Sequence, residues 1–125
     1  MLLVDATVGP SSIQGLGLFA NQFIPKGTKI WIFAEGFDVE LTEAQIEKLS
    51  PAAQKQVWKY AYRYPGTDTH LLCGDDSRFT NHSNDPNTRC RDDHTYATRD
   101  IQSGEEITSD YAEFDVRYPN GIPES

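Results

Sequence analysis

The residues from 78 to 87 constrain this chain more than any other stretch, because they combine many polar side chains with a single large apolar one. Three asparagines, a histidine, an aspartate and a proline follow Phe79 there. Such a segment fits neither the two-residue period of a half-buried strand nor the 3.6-residue period of an amphipathic helix. Because Asn and Asp side chains bond to nearby backbone and Pro86 fixes φ, we predict a polar turn of fixed shape, anchored to the core by Phe79.

The bulk properties favour one globular domain, with 125 residues of which 38% are hydrophobic. The formal net charge of -8 argues against nucleic acid as the main partner, because phosphate neutralisation needs an excess of Lys and Arg. An acidic surface suits a basic peptide, although acidity also simply aids solubility. Since the first residues lack signal-peptide features and no stretch approaches ~20 apolar residues, we expect a cytoplasmic protein without membrane contact.

The two cysteines indicate neither a zinc site nor a disulfide framework. Cys73 and Cys90 have no CxxC partner and no paired histidines nearby, so both are expected to be buried thiols. A metal-dependent hydrolase that uses His70, His82 and His94 is a third hypothesis, but metal-ligand spacing such as HExxH is missing. No metal site is therefore predicted.

A glycine pair stands near the N-terminus, between two predicted strands. Residues 2–8 are predicted to form a short strand that ends before Gly9 and Pro10, and the segment 13–20 carries the pair into an apolar strand. Alone, the pair indicates a tight turn, because the third glycine and the opening helix of a dinucleotide fingerprint are missing. Residues 29–33 are predicted to form the next strand.

Two helix starts follow between residues 42 and 62. Thr42 with Gln45 has the form of a capping box, and Ser50 before Pro51 is a second N-terminal signal. Aromatic side chains then alternate as in a strand, so we predict that the helix gives way to a strand near Tyr60. Packing in the core explains these aromatic residues as readily as the lining of a binding site does.

The second half of the chain contains further short strands around the polar segment. Residues 70–73 are predicted to form a strand, and 88–91 with 95–98 a hairpin. The string from Gly104 to Tyr111 reads as a turn and an edge strand, with Glu105 and Glu106 exposed.

Three segments together resemble the SET-domain lysine methyltransferases. Residues 78–87 are similar to the family string Arg, Phe, any residue, Asn, His, Ser, Cys, any residue, Pro, Asn, with Asn84 in place of Cys. The string from Gly104 to Tyr111 resembles the C-terminal signature, with Ile107 replacing Leu. The glycine pair resembles the N-terminal cofactor loop, and the three segments follow one another in the family's order.

The resemblance implies a mainly β SET fold, with several small twisted sheets, few short helices and a C-terminal pseudoknot. The chain 1–125 would be a single SET domain with a helical insert around 42–62 and a short C-terminal tail, 112–125. Asn84 replaces the usual Cys and the tail contains no cysteine, so the zinc-binding tail of many relatives is not expected.

The resemblance also implies a function, the transfer of a methyl group from S-adenosylmethionine to a lysine amine of a basic, histone-like protein segment. Tyr111 would be catalytic, with its hydroxyl directed at the reacting centre. The residues that the resemblance assigns to cofactor binding are Gly15, Leu16, Gly17, Arg78, Asn81 and His82. Those it suggests for the lysine channel are Phe33, Tyr60, Tyr62 and Phe114.

Two alternatives stay open at this point. Arg78 could instead form a structural bridge to Asp75 or Asp76, which the sequence favours as much as cofactor contact. The whole chain could be a catalytically inactive SET-like module that binds a basic peptide. The sequence indicates neither the oligomeric state nor the number of methyl groups added.

Overall fold

The computed structural model describes residues 1–63, 68–91 and 94–113, which form short strands and a few short helices. The strands are β1 Ala6–Pro10, β2 Leu16–Ala20, β3 Lys29–Ile32, β4 Val39–Thr42, β5 Tyr62–Arg63, β6 Thr69–Leu72, β7 Asn81–His82, β8 Thr88–Arg91, β9 His94–Ala97 and β10 Glu106–Ser109. The α-helices are α1 Glu43–Glu47 and α2 Pro51–Tyr60, and the 3-10 helices are Asp76–Phe79 and Tyr111–Glu113.

The sheet that positions the site has the order β1-β2-β10-β7. Its third strand, β10, pairs antiparallel with β2 and parallel with β7. In the parallel pair Thr108 lies opposite Asn81 and Ser109 opposite His82. The C-terminal signature is therefore inserted between the glycine-loop strand and the central polar segment.

Two three-stranded sheets complete the described part of the domain, with orders β3-β9-β8 and β4-β6-β5. The predicted hairpin is confirmed as β8 and β9, with the second strand one residue earlier than expected. The strand predicted over 70–73 is confirmed as β6, which also begins one residue earlier. The sheet β3-β9-β8 contributes Ile30 and Ala97 to the core that it shares with the first sheet.

The main core lies under the first two sheets and consists of aliphatic side chains that are at most 2% exposed. Its buried members are Leu18, Ala20, Ile24, Ile30, Ala97, Ile101 and Ile107. A second cluster joins Trp31, Leu71 and Cys73 with the partly buried Leu2, Phe33 and Tyr62. Complete burial of a Leu or Ile side chain contributes about 1.5–3 kcal/mol to stability, so these clusters supply the main favourable term.

Both predicted helix starts are confirmed. The Thr42 hydroxyl accepts a hydrogen bond from the Gln45 amide, and the Gln45 side chain accepts one from the Thr42 amide. The Ser50 hydroxyl accepts a hydrogen bond from the Ala53 amide at the start of α2. That helix ends at Tyr60 and β5 begins two residues later, as predicted. No helix among the described residues is long and apolar enough to span a membrane.

The strand predicted over residues 2–8 is wrong at both ends. Leu2 forms an isolated bridge with Trp31, and the regular strand runs from Ala6 to Pro10. Its last pair joins Pro10 to Leu16. Proline is tolerated there because β1 is an edge strand, where a residue without an N–H can face away from the sheet.

Burial raises the pKa of the Cys73 and Cys90 thiols from 9.0 to about 11. Both thiols therefore stay protonated at pH 8, and we expect iodoacetamide to label them far more slowly in the folded protein than in urea. The folded state binds these two protons more tightly than the unfolded state does. Their contribution to the free energy of unfolding is therefore fully present below pH 9 and is lost as the pH rises from 9 to 11. Mass spectrometry of labelling time courses checks this, and rapid labelling of the native protein at pH 8 would contradict it.

Candidate functional site

A single carboxylate fastens the loop that carries the glycine pair. Both oxygens of Glu106 accept hydrogen bonds from the Ser11 hydroxyl, at 2.7 and 2.9 Å. The Ser11 amide in turn donates to the carbonyl of Gly15 at 2.9 Å. The loop is thereby closed on itself and attached to β10.

The two glycines serve different purposes in this loop. Gly15 has a φ of +45°, in the left-handed region that glycine adopts most easily. Gly17 is buried, and a Cβ there would lie only 2.5 Å from Oε2 of Glu106. The first glycine thus permits the turn, and the second permits the close approach of the Glu106 carboxylate.

Asn81 attaches the central polar segment to the same loop. Its Nδ2 lies 3.2 Å from the carbonyl oxygen of Gln14, 3.0 Å from that of Leu16 and 2.9 Å from Oε2 of Glu106. These protein acceptors occupy both amide hydrogens. Within the described ranges Oδ1 makes no hydrogen bond, so a ligand would meet the oxygen of this side chain and not its nitrogen.

His82 is buried and has a defined tautomer. Its Nδ1 accepts a hydrogen bond from the Tyr111 amide at 3.1 Å, so the ring proton is on Nε2, which donates to Oδ1 of Asn84 at 2.8 Å. Asp110 Oδ1 lies 3.8 Å from Nδ1, but this is no ion pair, because that nitrogen carries no proton in this arrangement. His82 therefore holds the backbone of Tyr111 in place.

Tyr111 begins the 3-10 helix Tyr111–Glu113 and is held at both its backbone and its hydroxyl. The phenol donates a hydrogen bond to the carbonyl of Thr80. Its ring packs edge-on against Tyr62, with centroids 5.8 Å apart, and against His82 at 5.4 Å. Oδ1 of Asp110 accepts from the Ala112 amide at 3.0 Å and caps this turn. The position of the phenol is thus fixed by contacts from several directions.

Arg78 does not form the alternative bridge to an acid. Its guanidinium lies over the rings of Tyr60 and Phe79, at 5.7 and 5.6 Å from their centroids. Asp75 instead accepts hydrogen bonds from Leu2 and Ser77. Although burial acts to raise the pKa of Asp75, these hydrogen bonds hold it below its usual value. In the described part of the chain, the buried Nε of Arg78 has no partner.

An apolar cavity adjoins Tyr62 and Thr80, the residue whose carbonyl accepts the hydrogen bond from Tyr111. Its volume is about 60 Å³, and it opens to solvent. Its lining comprises Leu2, Leu18, Ile30, Trp31, Tyr62, Leu71, Cys73, Ser77, Thr80, Cys90, Thr95, Ile107 and Ser109. Tyr62 and Thr80 contact Tyr111 as well, so the cavity wall extends to the phenol.

Two of the aromatic residues suggested for a channel lie at the same cluster. Phe33 and Tyr62 both pack against Trp31, Leu71 and Cys73, and Tyr62 also lines the cavity. Tyr60 is not part of the lining and packs edge-on against Phe79 at 5.3 Å. Phe114 lies outside the described residues.

A buried asparagine holds the central segment against β10. Asn87 is 2% exposed, and its Oδ1 accepts from the Thr108 amide at 2.9 Å while Nδ2 donates to the Glu106 carbonyl at 2.8 Å. Nδ2 also donates to the side chain of Glu105 at 3.1 Å. This one side chain therefore bonds to backbone groups on both sides of Ile107.

Sequence reasoning missed the importance of Glu106 and of Glu105. Both were expected to be exposed acids, and both are partly buried hydrogen-bond acceptors. Ser11 precedes Glu106 by 95 positions, so no local pattern reveals their contact. The signal that was present is the glycine at position 17, whose missing side chain makes room for this carboxylate.

The described residues contain no group of three or more His, Cys, Asp and Glu placed to hold a metal ion. His70, His82 and His94 lie on β6, β7 and β9, which belong to three different sheets. The hypothesis of a metal-dependent hydrolase built on these histidines therefore finds no support in the geometry.

Gly17→Ala tests the close approach of Glu106 to the loop. The added methyl would displace a carboxylate that Ser11 and Asn81 hold, so we expect a loss of about 1–3 kcal/mol in the free energy of unfolding. The loss should shrink when Glu106→Ala is already present, because the clash is then removed. Urea denaturation of the two single variants and the double variant measures this coupling, and strictly additive effects would contradict it.

Comparison with solved structures finds 235 similar chains, among them the following three. A Plasmodium falciparum protein described as a candidate histone methyltransferase is 24% identical, with a TM-score of 0.61, over 86% of this chain and 93% of that one. A humanized mutant of the Chaetomium thermophilum Polycomb Repressive Complex 2, bound to an inhibitor, is 18% identical with a TM-score of 0.64, over 89% of this chain and 15% of that one. An apo ctPRC2 with two substitutions in Ezh2 is 20% identical with a TM-score of 0.68, over 90% of this chain and 16% of that one.

These likenesses show the fold, and the chain spans about one sixth of the two Polycomb chains. The search of curated proteins gives no match. The mainly β SET fold predicted from the sequence is confirmed by the small sheets and by these neighbours. The model of the SET domain family matches residues 15–112, and the chain therefore belongs to the SET-domain family.

Proposed function

We propose that the protein is an S-adenosylmethionine-dependent protein-lysine N-methyltransferase with Tyr111 as its catalytic residue. The observation that carries the proposal is the placement of the Tyr111 phenol. Its hydroxyl is bonded to Thr80 at the wall of the apolar cavity, and its backbone is bonded to His82 beside the glycine-loop sheet. A reacting group between the loop and the cavity would lie within reach of this phenol.

The residues around Arg78 fit the anionic end of this cofactor. The guanidinium of Arg78 and the ammonium of Lys59 both lie near the Tyr60 ring, at 5.7 and 5.3 Å from its centroid. The Nε of Arg78 is buried without a partner among the described residues, and such a donor is costly unless a ligand satisfies it. A carboxylate is the acceptor that a guanidinium binds best.

The glycine loop and Asn81 fit the remaining polar parts of the cofactor. Oδ1 of Asn81 is an acceptor suited to the cofactor's ammonium group, while Nδ2 keeps the carbonyls of Gln14 and Leu16 in place. Leu16 is 50% exposed and offers apolar surface on the loop. When bound, S-adenosylmethionine supplies a methyl group on a positively charged sulfur. Residues 15–17, Arg78 and Asn81 would hold it, while His82, whose two ring nitrogens already bond to the protein, would keep Tyr111 in place beside them.

The protein's own contribution to the reaction would be orientation and desolvation. A lysine amine has an ordinary pKa of about 10.4 and must lose its proton before it can attack. Apolar surroundings and a nearby positive charge both favour the neutral amine, so a strong base is not required. Tyr111 and the Thr80 carbonyl would orient the amine, and such alignment can lower the barrier by about 7 kcal/mol or more.

A basic, histone-like protein segment is the substrate that the charge of the chain supports. The net charge is -8, from 19 acidic and 11 basic residues. Complementary charge raises the rate of encounter with a basic segment. The neighbouring Plasmodium falciparum protein is described as a histone methyltransferase candidate, which agrees with this substrate class.

Cofactor binding is tested by calorimetry with Arg78→Met. Wild-type protein should bind S-adenosylmethionine saturably, and the variant should bind it more weakly by about 1.5–3 kcal/mol, the range for a hydrogen bond to a charged group. Arg91→Met is the matched control, because Arg91 also lies over a ring, that of Tyr96 at 5.8 Å. If well-folded wild-type protein does not bind S-adenosylmethionine saturably, the proposal is wrong. If both variants lose the same amount of affinity for it, the role of Arg78 is wrong.

Catalysis is tested by Tyr111→Phe, which removes one oxygen and keeps the ring. Labelled S-adenosylmethionine with a histone mixture first identifies a lysine substrate by mass spectrometry. We expect single-turnover methyl transfer to fall about a hundredfold or more, as when one preorganised polar group is removed from a reacting centre. The free energy of unfolding should change by only about 1 kcal/mol.

Tyr96→Phe is the control for the loss of a phenol elsewhere in the domain, since Tyr96 lies on β9. Its transfer rate should match that of the wild type. A Tyr111→Phe protein that also transfers at the wild-type rate would show that Tyr111 is only a packing residue. Peptide binding without any transfer by the wild type would instead favour the inactive SET-like module.

A further inference from the structure

We propose that Asn84 is a positioning residue, which acts through His82 to make the placement of Tyr111 dependent on pH. This inference rests on the proposed function, in which Tyr111 is the catalytic residue. It concerns the turn after β7, where the family string has Cys and this chain has Asn. No catalytic contact is assigned to Asn84 itself.

The three residues form a continuous chain of hydrogen bonds. Oδ1 of Asn84 accepts the proton of His82 Nε2 at 2.8 Å, and His82 Nδ1 accepts the Tyr111 amide proton at 3.1 Å. The hydrogen bond at one ring nitrogen determines which tautomer is present. The Tyr111 amide donor and the Asn84 acceptor therefore favour the same tautomer, in which Nδ1 carries no proton and can hold Tyr111.

Protonation of His82 would break the second link of this chain. Imidazolium carries protons on both nitrogens, so Nδ1 could no longer accept the Tyr111 amide. Asp110 Oδ1, at 3.8 Å, is the acceptor towards which the new Nδ1 proton would turn. That oxygen already caps the turn through the Ala112 amide, so the backbone that carries the phenol would shift.

Among the described residues, Asp110 and Tyr111 are the titratable groups in contact with His82. Asp110 follows β10, and the Tyr111 ring packs edge-on against the imidazole at 5.4 Å. Glu113 lies at the end of the same 3-10 helix and is 3.9 Å from Arg89. Asn84 is neutral, so unlike a carboxylate it orients the ring without favouring the imidazolium form.

The first test follows the imidazole of His82 by ¹⁵N NMR in the protein alone, without cofactor or substrate. At pH 8 we expect the wild-type proton on Nε2, and a mixture of tautomers in Asn84→Ala. Asn84→Asp keeps an acceptor for Nε2 but adds a negative charge that favours the imidazolium form, so its Nδ1 should release the Tyr111 amide at a higher pH than in the wild type. Unchanged tautomers and titration in both variants would overturn the proposal.

The second test measures methyl transfer against pH. The wild-type kcat should fall on acidification through the pH range in which NMR shows His82 becoming protonated. Asn84→Asp should move this acid limb upward, and Asn84→Ala should lower kcat at pH 8 by about tenfold or more, while cofactor affinity changes little. A pH profile for Asn84→Asp that superimposes on the wild type would also overturn the proposal.

Asp85→Ala is the matched control in both tests. Asp85 is on the same turn, its side chain is 94% exposed, and it contacts Arg99 at 3.7 Å. Its replacement should leave the His82 tautomer and the pH profile unchanged, and an equal effect would show that any change in the turn suffices. If wild-type protein transfers no methyl groups, the proposed function fails, whereas the NMR measurement still decides the hydrogen-bond chain.

Discussion

The hydrogen bonds between the Asn87 side chain and β10 are the interaction on which the site depends most. The side chain accepts from the Thr108 amide and donates to the Glu106 carbonyl, so it satisfies backbone groups of β10 much as a neighbouring strand would. Thr88 adds a further bond, from its hydroxyl to the Thr108 carbonyl at 2.7 Å. Each of these buried groups would cost about 1–3 kcal/mol if it were left unpaired.

This attachment explains why so many polar side chains can lie close to the apolar core. Glu106 and Asn81 share their hydrogen bonds with each other and with the glycine loop, so neither a charge nor an amide is buried alone. On the other face, Leu18 and Ile107 belong to the main core. The sheet therefore has a polar face that shapes a site and an apolar face that supports it, which is the arrangement that preorganised sites require.

Local signals in the sequence predicted local structure well. The caps at Thr42 and Ser50 and the hairpin after Asn87 depend on neighbours within a few residues, so the chain displays them directly. The types of residue at the site followed from the resemblance of three segments. Their contacts with one another could not be predicted, because they join residues far apart in the chain.

Arg78 and Glu106 illustrate this limit. Nearby acids made a bridge from Arg78 to Asp75 plausible, yet Asp75 is engaged by Leu2, 73 positions away. Glu106 had the pattern of an exposed turn residue, yet Ser11 and Asn81 reach it from two other segments. In both cases a tertiary contact that leaves no periodic trace determines the role of the charge.

The insertion of β10 between β2 and β7 has a consequence for how the domain folds. Neither β2 nor β7 can complete its pairing in this sheet before β10 is present, and contacts over a sequence separation of 95 positions, as between Ser11 and Glu106, must form. Contacts of such sequence separation slow folding, because chain entropy is lost before the contacts form. During synthesis the glycine loop and the central segment would therefore stay unpaired until β10 has been made. The polar face of the sheet would be one of the last parts of the domain to form.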